Sequence, residues 1–130
     1  QFRGDVLEEQ NVRLSTRALL ELSKADHLLW KWRIYNLFLG LENVRPEDIV
    51  SHQDCRLGQW YFANRTKERI GHLQAYRDLD THHKDVHNCA RRAAEQFHAG
   101  DLAGAEESLK KIESASNEVL RLLDELLQHV

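Results

Sequence analysis

The chain has no methionine, one proline, six glycines and two cysteines in 130 residues. So few backbone breakers argue against a turn-rich all-β fold and favour long helices. Two cysteines are too few for the disulfide framework of a small secreted scaffold. Cys55 and Cys89, set among eight histidines, suit a reducing compartment and a metal better than a bridge. No stretch approaches the ~18 consecutive apolar residues of a membrane span, and the first residues carry no basic segment followed by an apolar signal region. Also missing is a surplus of positive charge. The formal net charge is −3, and pairs such as Arg91-Arg92 and Lys110-Lys111 read as solvated helix faces, so a nucleic-acid partner is not expected. The expectation is a cytoplasmic domain without direct membrane insertion, cut from a longer protein, since the chain starts at Gln1 and lacks methionine.

What is present is helical periodicity. From Asp5 to Leu39 a first long helix is interrupted only by helix-compatible residues, with one apolar line through Leu7, Leu14, Ala18, Leu22, Ala25, Leu29 and Trp32. A second line runs through Leu20, His27, Trp30, Ile34, Phe38 and Leu41. Gly40 suits the cap of this helix, and Pro46 with Glu47 and Asp48 suits a turn or a short connector helix. Ser51 and Asp54 resemble an amino-terminal capping pair, placing Cys55 in the first turn of a second helix where the thiol would ionise more readily. That helix carries Trp60, Tyr61 and Phe62 to about Ile70, weakens at Gly71, and continues through Leu73 and Tyr76. Gly58 in its first turns would allow another group to pack closely. A third helix is expected from Asp80 or Thr81, with Val86, Ala90, Ala93, Ala94 and Phe97 inward; Gly100-Asp101 ends it and caps a fourth, strongly amphipathic helix through Leu102, Ala105, Leu109, Ile112, Val119, Leu123 and Leu126. The fold class is all-α, an antiparallel four-helix bundle with a short connector after the first helix.

Four side chains interrupt the apolar pattern. His83 and His87 are four residues apart on one helix face, so one ion can reach both. His27 precedes Cys55 by 28 residues and Cys55 precedes His83 by 28, a spacing that suits ligands at similar depth on successive antiparallel helices. One thiolate with three neutral imidazoles matches the four-coordinate, borderline-soft chemistry of Zn2+. Taken alone, His27 reads more readily as a core histidine satisfied by a hydrogen bond. His82 is turned about 100° from His83 and should face solvent or lie behind the site. Cys89 points away from His87 and reads as a small buried residue.

Other metal chemistries fit less well. A di-iron carboxylate bundle needs Glu-x-x-His on two helices, and a hemerythrin-type site needs more inward histidines and carboxylates. The HExxH protease pattern has Lys84 in place of its glutamate. A catalytic zinc keeps an open position, which Cys55 as a fourth ligand would close. No catalytic residues are therefore expected.

The run Cys55-Arg56-Leu57-Gly58-Gln59-Trp60-Tyr61, preceded by His27 and Trp30 and followed by His83-Lys84-Asp85-Val86-His87, resembles the chemoreceptor zinc-binding domain, CZB. The resemblance covers residues 19–130 and leaves residues 1–18 as a lead-in helix or connector. It implies a bacterial regulatory module, commonly a homodimer, that binds zinc through His27, Cys55, His83 and His87. Such a module passes a conformational change to an attached signalling domain. It further implies sensing of zinc, or of an oxidant such as hypochlorous acid through the zinc-bound Cys55. Asp54 and Trp60, close to Cys55 on either side, are expected to support that ligand. Because the chain ends soon after the fourth helix, a chemoreceptor is the expected parent. The alternatives are the zinc-dependent regulatory domain of a diguanylate cyclase and a purely structural zinc dimerisation bundle.

Overall fold

The computed structural model describes residues 2–130; Gln1, where the lead-in segment begins, lies outside them. Five α-helices and one short 3-10 turn follow one another: α1 (Phe2–Phe38), the turn (Pro46–Asp48), α2 (Arg56–Tyr61), α3 (Asn64–Ile70), α4 (Gln74–His98) and α5 (Leu102–Leu127). The long helices α1, α4 and α5, with α2 and α3 filling the remaining flank, make the expected antiparallel bundle. Residues 2–18 continue into the rest of α1 without a break.

Two glycines do what their positions required. Gly40 (φ 76°) and Gly100 (φ 79°) adopt the left-handed conformation that closes α1 and α4. Behind each, the next amide turns back into the helix: Leu41 N–H donates to the Asn36 carbonyl at 2.9 Å and Asp101 N–H to that of Gln96 at 2.9 Å. Asp101 then caps α5, accepting the Gly104 amide at 3.0 Å.

The expected second helix is corrected to two short ones. The chain breaks at Phe62 and Ala63, and the segment through Leu73 and Tyr76 belongs to α4, whose start is Gln74 and not Asp80 or Thr81. The break is held by a tertiary contact. Tyr61 and Tyr76 stack with ring centres 4.2 Å apart, and each hydroxyl donates to the other's backbone carbonyl, at 2.8 and 2.6 Å. Neither Ala63 nor Leu73, which flank α3 and α4, makes a side-chain cap. These boundaries are fixed by packing and leave no capping signal in the sequence.

The core divides into two apolar halves. One gathers Leu20, Leu57, Tyr61, Tyr76, Leu79, Val119, Leu122 and Leu126, the other Ile34, Leu37, Val44, Ile49, Ala90, Ala93 and Ile112. Between them along α1 come Ser23 and His27, along α4 His83 and His87, and along α5 Ser116. The bundle therefore carries a polar layer at mid-height, and Ser23, His83 and Ser116 in it are buried. A buried polar layer costs stability unless its members find partners, so its presence marks the place where the sequence gave up packing for another purpose.

The two apolar lines of α1 part company. On the second line Leu20 and Ile34 are buried, although Leu41 beyond the helix end is exposed; on the first, Leu7, Leu14, Leu22, Leu29 and Trp32 are exposed, Trp32 by 60%. No helix among the described residues is long and apolar enough to cross a membrane.

Candidate metal centre

The loop before α2 and the third and fourth turns of α4 bring three donor atoms together. Cys55 Sγ lies 3.3 Å from His83 Nε2, and His83 Nε2 lies 3.1 Å from His87 Nε2. Among the described residues, the ligand atoms of Cys55, His83 and His87 all lie within 4.8 Å of one another. Tetrahedral ligands around one zinc stand roughly 3.3–3.6 Å apart, as follows from bond lengths of about 2.0–2.3 Å. The donor set fits zinc in both kind and spacing.

Two of the three donors, His87 and Cys55, are held from behind. His87 Nδ1 meets the Val50 carbonyl at 2.8 Å; a carbonyl only accepts, so Nδ1 carries the proton and Nε2 is left bare for a metal. Val50 is positioned in turn by its neighbour, since Arg91 donates to the Ile49 carbonyl at 3.0 Å. Cys55 is the residue that caps α2, so it stands one step before the first turn expected for it. Its sulfur accepts the Gly58 amide at 3.4 Å and lies 3.5 Å from the His52 carbonyl. That loop can close so tightly because residue 58 is glycine: a Cβ there would fall 1.8 Å from the His52 carbonyl oxygen. The Ser51 hydroxyl donates to Asp54 at 3.0 Å and the Ser51 carbonyl accepts the Asp54 amide at 3.1 Å, forming the turn that delivers Cys55.

Burial dominates the electrostatics of the metal-free site. It holds His83 down to about 3 and His27 down to about 4, and lowers His87 despite the opposing Val50 bond. All three imidazoles are neutral at pH 7, as ligation requires. Burial also pushes the Cys55 thiol above its ordinary range, outweighing the amides of Gly58 and Leu57. The expectation of a readily ionised thiol is reversed: α2 has only six residues, and desolvation exceeds what its start can offer.

His27 lines the same cavity as the three donors, a space of about 350 Å3 bounded also by Ser23, Trp30 and the Asp26–Arg56 ion pair (3.2 Å). Its Nε2 pairs with the hydroxyl of the fully buried Ser116 at 2.6 Å. Asp54 spends its carboxylate on Ser51, and Trp60 lines a different cavity between α1 and α3. His82 is half-buried beside the site, and Cys89 is a buried free cysteine in the second apolar half.

Three contributors escaped sequence reasoning. His52 supplies a carbonyl to the Cys55 loop and sets its ring edge-on to His83, with centres 5.7 Å apart. Val50 acts only through its backbone, which leaves no side-chain signature. Ser116 did leave one, as a polar residue on the inward stripe between Ile112 and Val119 of α5.

A helical bundle whose central polar layer gathers a thiol and imidazoles with zinc-like spacing has the make-up of a metal-binding domain. The family model of the chemoreceptor zinc-binding domain, CZB, matches residues 27–94, just over half of the chain. This chain belongs to that family, and is a zinc-binding sensory or regulatory domain. No curated protein and no solved structure matches it.

Proposed function

We propose that this domain reports oxidant, zinc or both by changing the ligation of one zinc ion held by His27, Cys55, His83 and His87, and that it passes the change to an attached signalling domain of a chemoreceptor. The observation that carries this reading is the position of Cys55. Its sulfur faces His83 and heads a loop held by glycine-enforced backbone contacts, yet the residue is only half-buried. A small oxidant can reach the one donor in the set that is readily oxidised. Hypochlorous acid would take two electrons from the sulfur, leaving sulfenic acid and releasing its chlorine as chloride. The weakened sulfur ligand would free the Ser51–Gly58 loop and the start of α2. The domain itself acts without catalysis.

Homodimerisation is supported by α1. Its exposed residues Ala18, Leu22, Ala25, Leu29, Trp32 and Leu39 follow the 4-3 spacing of a seam that packs against a like seam. A second copy of the chain supplies that seam by two-fold symmetry. Replacing Leu29 and Trp32 with glutamate should give a folded monomer in analytical sedimentation; an unchanged oligomeric state would remove α1 as the contact.

The test of sensing is mass spectrometry of the zinc-loaded chain after stoichiometric hypochlorous acid. The reading expects oxygen added at Cys55 with zinc release or weakening, and buried Cys89 untouched. Oxidant-driven signalling with Cys55 unmodified would overturn it.

A further inference from the structure

We infer that Ser116 is the alternative partner of His27, so that zinc and α5 compete for the same histidine. The inference rests on the four-ligand reading above and concerns how the fourth ligand is engaged. Three donors stand together, whereas His27, which lines the same cavity, is tied by Nε2 to Ser116 at 2.6 Å. Ser116 is fully buried and lies on α5, the helix that contributes no donor to the cluster. The His27 bond therefore bridges α1 to α5.

Whether Nε2 accepts the Ser116 hydroxyl proton or donates its own to the hydroxyl oxygen, a nitrogen so engaged is not available to a metal. Engaging zinc through Nε2 transfers this buried tie of α1 from α5 to α4 and α2, which carry His83, His87 and Cys55, while the Lys24–Asp124 and Lys31–Glu113 ion pairs still join α1 to α5 nearer the surface. The serine left behind has a place for its hydroxyl, because a helical serine can bond the carbonyl four residues earlier, here Ile112. That keeps the cost of release near that of one ordinary hydrogen bond. Ser23, one turn before His27 on α1, has a buried hydroxyl with no partner, so α1 is not anchored there by a second bond. Zinc occupancy thus sets which helices hold the buried face of α1, the long helix that also carries the exposed seam. The exchange gives the site a mechanical output that the loop around Cys55 alone would lack.

The experiment is zinc affinity by chelator competition on the whole chain, with His27 ring nitrogens followed by NMR. In the unaltered chain, zinc should move His27 Nε2 from its hydrogen-bonded to its metal-bound shift. Ser116→Ala removes the competitor and should bind zinc roughly 3- to 10-fold more tightly, the reach of one net hydrogen bond. Ser116→Thr, which keeps the hydroxyl, should stay near the unaltered value and guards against a packing effect. In a His27→Ala background, Ser116→Ala should change nothing. Weaker or unchanged binding in Ser116→Ala, or His27 engaging zinc while still bonded to Ser116, would overturn the exchange. If instead His83→Ala and Cys55→Ser leave zinc affinity intact, the four-ligand reading itself fails. The two failures are therefore distinguishable.

Discussion

The Val50 carbonyl accepts the Nδ1–H of His87 at 2.8 Å, and this single bond fixes the ring tautomer that a metal needs. It also ties His87 to the connector between α1 and α2, the segment that ends at Cys55. Arg91, one turn beyond His87 on α4, holds that connector through the Ile49 carbonyl.

Loosening the connector should therefore be felt at the metal. Arg91→Ala leaves every ligand in place and removes a part-buried hydrogen bond, so we expect a folded bundle with zinc affinity reduced severalfold. Removal of a direct partner of a ligand typically costs about 10- to 100-fold, and Arg91 stands one bond further out. Chelator competition measures the effect; unaltered affinity would mean that the Val50 carbonyl is held without it.

Gly58 is the most constrained glycine of the site. With a Cβ falling 1.8 Å from the His52 carbonyl, Gly58→Ala must push the loop away from α2 and Cys55 with it. The expected cost is about 1–3 kcal/mol of stability, as for overpacking, together with weaker zinc binding. Thermal unfolding with and without zinc checks both. A stable variant with full affinity would show that the loop has a second, equally good position.

Protons should leave when zinc arrives. The three histidines are neutral at pH 7 and the Cys55 thiol is protonated there, so binding should displace one proton, from sulfur. Affinity should rise about tenfold per pH unit through the neutral range. Calorimetry in buffers of different ionisation enthalpy counts the protons; a count near zero would mean a preformed thiolate.

The same histidines make the metal-free fold acid-sensitive. Their folded pKa values are depressed, to about 4 for His27 and about 3 for His83. Below their unfolded value, about 6.5, the unfolded chain binds more protons than the folded one. The contribution of these histidines to stability should be flat above pH 7 and fall from about pH 6.5 down toward 4. Denaturant melts across this range test the sign, and rising stability on acidification would contradict it.

Away from the metal, Tyr61 and Tyr76 set the break between α2, α3 and α4. Tyr76→Phe removes one of the two reciprocal bonds and leaves the buried Tyr61 carbonyl without that donor, so a loss of about 1–3 kcal/mol is expected with zinc affinity little changed. Parallel losses of stability and affinity would show that this break positions Cys55 more directly.

Where the sequence carried its own local instructions, the fold could be read from it. Gly40 and Gly100 mark helix ends because their backbone must turn left-handed, Asp101 caps because its side chain does so, and the spacing of His83 and His87 already puts them on one face. Gly58 could be singled out for close packing, although not the carbonyl that packs there. The start of α4 could not be read, because Tyr61 and Tyr76 set it through a contact fifteen residues apart. The two apolar lines of α1 look alike in sequence, and only the closed bundle shows which one is left outside. His27 kept both of its readings. It has the hydrogen bond of a satisfied core histidine, and it faces the cavity of the other three.

The central claim, one zinc bound by Cys55 together with histidines, is tested most directly by X-ray absorption of the zinc-loaded chain. The account predicts one sulfur at about 2.3 Å and three nitrogens at about 2.0–2.1 Å, with the sulfur contribution lost in Cys55→Ser. A spectrum with nitrogen and oxygen scatterers alone, unchanged by Cys55→Ser, would contradict it.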